Sequence, residues 1–267
     1  GTTWTDITNI TTLLSYSNIT QTTQYQAVVQ SGVCSSANSS AATITVNPVS
    51  VGGTVGTSTS VCTGTNSGTL NLTGNTGSVV KWQSSTNGGS TWTDIVNTGT
   101  SQTYSNITQT TLYRAVVLSG VCSLANSSAA TITVNPLSIG GSVNSNATVC
   151  SGSNSGTVYL TGQTGNVVKW QYSTDGGSTW TDIANTTTSQ VYSNLTQTTM
   201  GRAVVQSGTC ASANSNPVTI TVNSAPYATI SYSGTPFCST GGSAAVTQSG
   251  TSGGNYSSTS GLSLNSY

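Results

Sequence analysis

The chain carries few side chains that could do acid–base chemistry. Its 267 residues include four acidic and four basic residues and no His. Glycoside hydrolysis needs two carboxylic acids flanking one substrate bond, and general acid–base catalysis draws mainly on His, Glu and Asp. All four acidic residues are Asp, and only one or two of them fall in each of the repeats defined below. We therefore predict that the protein is not an enzyme, with no catalytic residue and no cofactor.

Seven of the eight charges recur at three equivalent places along the chain. By strand alternation, Lys81 and Arg114 should point outward if Trp82 and Tyr113 point inward. Asp94 on the neighbouring strand could then bridge the two cations, with a Trp ring stacked nearby. This grouping has two interpretations, a self-satisfied surface cluster or a repeated patch for a ligand or subunit contact. Its Trp residues are either sugar-binding platforms or half-buried packing residues. The candidate patch and its equivalents are Lys81, Trp92, Asp94, Arg114, Lys169, Trp180, Asp182 and Arg202.

The overall composition restricts both the fold and the partners. Charged residues make up 3% of the chain, against about 25% in typical proteins, so nucleic acid and anionic membrane surfaces are disfavoured as partners. No stretch reaches the roughly 18 apolar residues of a membrane span, and we expect no direct membrane insertion in this segment. Short runs rich in Val, Ile, Thr, Tyr and Trp favour strands, while strong helix formers are scarce. The composition therefore predicts an all-β protein.

An internal repeat of 88 residues organises the sequence. The interval separates Trp4, Trp92 and Trp180, and also Cys34, Cys122 and Cys210, and Cys62, Cys150 and Cys238. We predict two complete repeats at 48–135 and 136–223. Residues 1–47 would be the C-terminal part of another repeat, and residues 224–267 the N-terminal part of a divergent one. Within this pattern, Gly201 in place of Tyr113 is a notable departure.

Each complete repeat has the strand spacing of a β-sandwich. In repeat 48–135 we predict seven strands, near 50–55, 68–74, 78–84, 91–96, 102–107, 111–118 and 128–134. The clearest element is a hairpin whose turn is Asn87-Gly88-Gly89, because Asn and Gly tolerate positive φ. Asp175-Gly176 takes this place in the next repeat. The last strand runs through Pro136 into the next repeat without a flexible linker, which predicts a semi-rigid rod of domains.

Six cysteines fall into two classes, one of each per complete repeat. The economical pairing joins Cys62 to Cys122 and Cys150 to Cys210, and the resulting bonds would tie one end of each sandwich. Cys34 and Cys238 would then pair with residues outside this sequence. The alternative is free buried cysteines. A metal site is disfavoured, because two Cys per repeat without His cannot complete four ligands. Disulfides would place the chain in an oxidising, extracellular compartment.

Two resemblances follow from longer motifs. The segment from Ser173 to Trp180 resembles the Asp-box of sialidases and β-propellers, and Ser85 to Trp92 matches it with Asn87 in the Asp position. The Asp-box implies a hairpin element and no catalyst.

Asn-x-Ser/Thr sequons such as the one at Asn106 also recur. They leave glycosylation open as an alternative.

The repeat as a whole resembles the immunoglobulin-like repeats of giant Bacteroidetes cell-surface proteins. The motifs that carry this resemblance are a Cys after a Ser-Gly turn, the Ala-Thr-Ile-Thr-Val-Asn-Pro ending at 130–136, and the Trp-Gln-x-Ser-Thr-x-Gly-Gly-Ser-Thr-Trp hairpin at 82–92. It implies tandem immunoglobulin-like or fibronectin III-like β-sandwiches, type IX secretion, surface anchoring and a role in adhesion or gliding motility.

Three functions are compatible with these observations. The first is a stalk or filament segment of a surface adhesin. The second is an array of carbohydrate-binding modules that uses the hairpin Trp residues on surface glycans. The third is a filament in which copies of the chain pack laterally.

Overall fold

A computed structural model describes residues 3–232 and 245–259. The chain divides into two compact units. The first contains the described residues up to Leu137 together with Gly208–Cys210, and the second contains Ser138–Ser207 and the described residues from Ala211 onward. All regular elements in the described part of the chain are β-strands. The same residues include no helix with the length and apolarity required to cross a membrane.

The first unit begins with two small antiparallel sheets. One pairs β1 with β4, and the other pairs β2 with β3. Their bounds are β1 Thr23–Tyr25, β2 Val28–Val29, β3 Ala37–Asn38 and β4 Ala42–Ile44.

Nine further strands of the first unit form two larger sheets. The smaller sheet has the order β10-β7-β5, and the larger has the order β6-β13-β11-β8-β9 with β12 paired to β11. Strand β6 pairs with β13 in parallel, and the other pairs are antiparallel. The bounds are β5 Thr54–Val55, β6 Thr59–Cys62, β7 Ser67–Thr73, β8 Ser78–Ser85, β9 Thr93–Ile95, β10 Ser101–Ser105, β11 Thr111–Leu118, β12 Ala125–Asn126 and β13 Ala130–Asn135.

The two larger sheets enclose one hydrophobic core. Strand β7 illustrates why, since Leu70 and Leu72 are buried while the Thr and Asn residues between and beside them are exposed, which is the period-2 pattern of a half-buried strand. On the opposite sheet, Trp82 and Ile132 are fully buried, and the Trp82 indole N–H donates to the Gly99 carbonyl at 2.9 Å. Side chains from both sheets belong to the same buried cluster. The predicted all-β sandwich is confirmed.

The second unit repeats this arrangement. Its sheets have the orders β14-β16-β19 and β15-β22-β20-β17-β18, with β21 paired to β20. Trp170 takes the central place of Trp82 in a second buried cluster. Strands β23 and β24 form a separate antiparallel pair. The bounds are β14 Ser142–Asn144, β15 Ala147–Cys150, β16 Ser155–Thr161, β17 Asn166–Ser173, β18 Thr181–Ile183, β19 Ser189–Ser193, β20 Thr199–Gln206, β21 Ala213–Asn214, β22 Val218–Asn223, β23 Ala228–Tyr232 and β24 Val246–Gly250.

The seven predicted strands of repeat 48–135 correspond to β5, β7, β8, β9, β10, β11 and β13, with shifted ends. The sequence interpretation missed β6 and β12. Strand β6 reads Thr-Ser-Val-Cys, and a four-residue run with a single aliphatic residue gives no alternating signal. It forms because the edge of β13 supplies hydrogen-bonding groups for a parallel partner, and this missed strand ends at Cys62.

Candidate functional site

The predicted charged patch lies on the larger sheet of each complete repeat. In the first unit, strand register places Gln83 of β8 opposite both Asp94 of β9 and Arg114 of β11. Lys81 lies two residues before Gln83 and therefore on the same face of β8. Three neighbouring strands thus place polar side chains side by side on the sheet surface.

These side chains form one continuous network. The Lys81 ammonium donates to Asp94 Oδ2 at 2.7 Å, and Gln83 Nε2 donates to Asp94 Oδ1 at 2.7 Å. Gln83 Oε1 in turn accepts a hydrogen bond from Arg114 Nε at 2.8 Å. The Arg114 guanidinium carbon lies 4.0 Å from the centre of the Trp92 ring, within the range of a cation–π contact. Both carboxylate oxygens of Asp94 and the amide of Gln83 are therefore engaged within the network.

The second unit contains the same network. Lys169 and Gln171 donate to Asp182 at 2.8 and 2.7 Å, and Arg202 donates to Gln171 at 2.8 Å. The guanidinium of Arg202 lies 3.9 Å from the centre of the Trp180 ring.

The expectation that Asp94 bridges both cations is wrong. Among the described residues the ion pairs are Lys81–Asp94 and Lys169–Asp182, and Gln83 connects Asp94 to Arg114 through its amide. The sequence prediction missed Gln83 and Gln171, because an uncharged amide does not stand out in a pattern of recurring charges. Each Gln stands two residues after a Lys, and this spacing would have placed it on the same face of the strand as that Lys. Trp82 and Tyr113 do point inward as predicted.

Hydrogen bonds within the network set the electrostatic state of its two carboxylates. Hydrogen bonds from Lys81 and Gln83 hold the pKa of Asp94 below its ordinary value, and Lys169 and Gln171 do the same for Asp182. The ion pairs are solvent-exposed, and exposed pairs add little to stability. One face of the Trp92 ring is covered by Arg114, so the ring is not an open stacking platform on that side.

The Asp-box hairpins are closed by local hydrogen bonds. Gly88 and Gly89 adopt φ values of 69° and 89°, while Asn87 acts through its side chain instead of a positive φ. Its Oδ1 accepts from the Thr91 backbone N–H at 3.0 Å, and its Nδ2 donates to Thr91 Oγ1 at 2.7 Å. The turn is therefore closed by hydrogen bonds between the side chain of Asn87 and Thr91, four residues later.

The second hairpin uses a carboxylate in this place. Asp175 accepts hydrogen bonds from the Thr179 hydroxyl, from the Thr179 backbone N–H and from the Ser173 hydroxyl. These donors hold the pKa of Asp175 far below the ordinary value of an Asp. All of its contacts close the turn, which agrees with a structural element.

The disulfide pairing differs from the prediction. Cys62 is bonded to Cys210, with a Cα–Cα distance of 4.9 Å and a sequence separation of 148 residues. The predicted pairs Cys62–Cys122 and Cys150–Cys210 are therefore wrong. Cys34, Cys122 and Cys150 are free thiols, and Cys238 lies outside the described residues.

Strand pairing explains why Cys62 meets Cys210. The parallel pair of β6 and β13 places Cys62 beside Asn135, at the end of the repeat. The segment Gly208–Cys210 packs at this end of the first unit, with Cys210 Sγ 3.1 Å from the Pro136 carbonyl oxygen. Gly208 has a φ of 51°, and a Cβ there would lie 2.3 Å from the Asn135 side chain. The positive φ favours Gly at this position, and any larger residue would have to displace the Asn135 side chain.

Two of the free cysteines, Cys122 and Cys150, lie in surroundings equivalent to those of the bonded Cys210 and Cys62. Cys122 Sγ lies 3.3 Å from the Pro48 carbonyl oxygen, as Cys210 lies against Pro136. In the parallel strand pair β15–β22, Cys150 lies opposite Asn223, just as Cys62 lies opposite Asn135 in the pair β6–β13. In the described residues no group of three or more His, Cys, Asp or Glu side chains is arranged to hold a metal ion.

Comparison with known proteins identifies the repeat. A family model described as "Domain of unknown function (DUF8696)" matches three times, at residues 1–48, 51–136 and 139–224. The chain belongs to this family. No curated protein matches it in sequence.

Several solved structures are similar at low identity. The fibronectin(III)-like modules of Clostridium thermocellum CbhA are 12% identical, with 63% of this chain and 90% of that chain covered and a TM-score of 0.31. An I-band fragment of titin is 12% identical, covering 75% of this chain and 74% of its own, with a TM-score of 0.41. Extracellular domains 3–5 of Drosophila OTK are 12% identical, covering 76% and 71%, with a TM-score of 0.37. The fold class rests on the strand pairing described above.

Proposed function

We propose that this chain is a spacer segment in the stalk of an extracellular, repetitive bacterial cell-surface adhesin. The observation that carries the proposal is the covalent bond between Cys62 and Cys210, which joins cysteines from consecutive sequence repeats. A cross-link between successive repeats resists separation of those repeats under load, a property that a spacer under tension needs. A disulfide also fits an oxidising compartment outside the cytoplasm.

The surface networks support a structural role over a binding role. Lys81, Gln83, Asp94 and Arg114 bond to one another, and Arg114 covers a face of Trp92. A glycan would have to displace this arginine to stack on that face. Type IX secretion, attachment to a Bacteroidetes surface and a part in gliding motility belong to the same proposal, and they are supported by the motif resemblance alone.

A glycan array distinguishes a spacer from a carbohydrate-binding module. The spacer proposal expects no reproducible binding by the full chain, and no difference between the wild type and Trp92→Ala. Val96→Ala serves as the matched control, since Val96 is fully exposed and its equivalent in the next repeat is Ala184. Binding that is abolished by Trp92→Ala and retained by Val96→Ala would replace the spacer proposal with the carbohydrate-binding one.

Lateral assembly is tested separately by sedimentation velocity over a wide concentration range. A spacer that works as a single chain should sediment as one species at all concentrations. Reversible growth into larger species, under oxidising and reducing conditions alike, would favour the filament instead.

A further inference from the structure

The two complete repeats differ at one cross-strand pair in their cores. In repeat 48–135, Tyr113 of β11 lies opposite Ala130 of β13, and its ring is only 6% exposed. It stacks on Tyr104, with ring centres 6.3 Å apart. In repeat 136–223 the equivalent pair is Gly201 and Val218. Gly201 has no ring to fill the space that Tyr113 fills.

A cavity of about 340 Å³ lies at this place in the second unit. Its lining includes Gly201 together with Trp170, Tyr192, Met200, Val218 and Ile220. Neighbours of the missing ring also gain exposure. Tyr104, Gln102 and Thr111 are buried in the first unit, while their equivalents Tyr192, Gln190 and Thr199 are partly exposed. With Gly at this position the core is open to a small molecule, while the strand order of the two sheets is the same as in the first unit.

The neighbouring strand does not refill this space. Tyr172 of β17 lies directly opposite Gly201, where the first unit has Ser84 opposite Tyr113. Tyr172 lines the cavity and remains 39% exposed. Its ring is thus a wall of the cavity, and Trp170 and Tyr192 supply two further aromatic walls.

The shape and chemistry of the cavity specify its ligand. Its volume falls within the range of small-molecule sites, about 300–1,000 Å³, and an apolar protein cavity of about 150 Å³ already binds benzene. Aromatic walls favour a planar aromatic guest through offset or edge-to-face packing. Gln190, Gln197 and Thr174 add polar groups to the lining. We propose that this cavity binds a p-hydroxyphenyl ring, supplied by a small phenol or by a tyrosine side chain, in the place that Tyr113 occupies in the other repeat.

The first test measures binding of p-cresol, the tyrosine side chain as a free molecule, by titration calorimetry on the full chain. We expect saturable binding of one p-cresol per chain. Gly201→Tyr should weaken it at least tenfold, because the new ring fills the site. A Cβ at position 201 meets only Val218 Cγ1, at 3.5 Å, so the backbone leaves room for a side chain to start there. Gly201→Tyr with Val218→Ala restores the cross-strand pair of the first unit and should also remove binding.

The converse variant creates a second site. Tyr113→Gly should raise the stoichiometry from one to two p-cresol molecules per chain. The Gly201→Tyr comparison decides the question by itself if Tyr113→Gly lowers the yield of folded protein. N-acetyl-tyrosinamide then separates the two sources, since a site that accepts a tyrosine side chain binds it as well as p-cresol, and a closed small-phenol site binds p-cresol alone. Absence of saturable p-cresol binding, or equal binding by wild type and Gly201→Tyr, would overturn the proposal, as would preferential binding of methyl glucoside.

Discussion

Reducing the Cys62–Cys210 bond while the chain is held under tension should release one large block of hidden length. The two cysteines are 148 residues apart in sequence, and a disulfide between them keeps all the intervening residues out of the stretched chain. An extended residue spans about 3.3–3.6 Å, so opening this bond adds about 500 Å of contour length. The pairing inside each repeat would instead hide two loops of 60 residues, each worth about 200 Å.

A force clamp reads these lengths directly. The chain is tethered by its ends under oxidising conditions and pulled until both units have unfolded, and a thiol reductant is then added. Reduction by a dithiol proceeds through a mixed disulfide. It leaves two protein thiols and an oxidised reductant, and the tether should lengthen in one step. Cys62→Ser should lack this step, and the matched Cys122→Ser should keep it.

Trypsin supplies an independent assay of the same bond, because the chain has only four basic residues, at Lys81, Arg114, Lys169 and Arg202. Under non-reducing conditions the bond should join peptide 1–81 to peptide 203–267. Variants Cys34→Ser and Cys238→Ser assign the linkage within those peptides. Two reductive steps of about 200 Å, or a linkage of peptide 115–169 to either of the others, would refute the connection of successive repeats.

Three further outcomes are expected. Trp82→Ala should lower the free energy of unfolding by about 3–5 kcal/mol, because the Trp82 ring is fully buried. The control variant Trp92→Ala should lower it clearly less. Denaturant titration measures both losses, and equal losses would contradict the assigned core. Arg114→Gln places at position 114 the residue found at the equivalent position of the first, partial repeat, Gln26. The change should remove the stacking on Trp92, lower the free energy of unfolding by about 0.5–1 kcal/mol and alter the Trp92 fluorescence. An unchanged spectrum would argue against the contact. The folded-state pKa of Asp175 lies far below the ordinary Asp value of 3.8, so its contribution to hairpin stability is complete above that value and is lost as the pH falls from there towards the folded-state pKa. The Thr179 amide resonance of the folded chain should therefore stay constant from neutral pH to well below the ordinary Asp pKa, and a titration centred near the ordinary value would contradict the hydrogen bonding. Asp175→Asn should abolish any shift at still lower pH, and the Asn87 hairpin should show no corresponding titration of its own.

Much of the fold could be predicted because the repeat shows each element more than once. Strand β7 buries Leu70 and Leu72 and exposes the polar residues between and beside them, and this period is visible in the sequence. The hairpin from β8 to β9 was visible for a local reason, because its Gly residues must adopt positive φ. Strand β6 was missed because its pairing depends on the edge of β13 and not on its own pattern.

The candidate site was predicted in part. The charged residues were correctly placed on one face, since strand alternation is a local property. Their connectivity was wrong, because Gln83 lies between Asp94 and Arg114 and hydrogen bonds to both. Cross-strand register decides which side chains touch, and a one-residue change of register would have assigned different partners.

The cysteine positions could be read from the sequence, but the disulfide pairing depends on the tertiary structure. The sequence by itself determined that the chain is built from 88-residue all-β repeats, with two cysteines in each complete repeat and charges that recur at equivalent positions. Periodicity could not determine the disulfide pairing, because Cys122 and Cys210 occupy the same position in consecutive repeats and either could be the partner of Cys62. Tertiary structure decided it. Parallel pairing of β6 with β13 brings Cys62 beside Asn135, and the Gly208–Cys210 segment, which comes from the following repeat in sequence, packs at that same point.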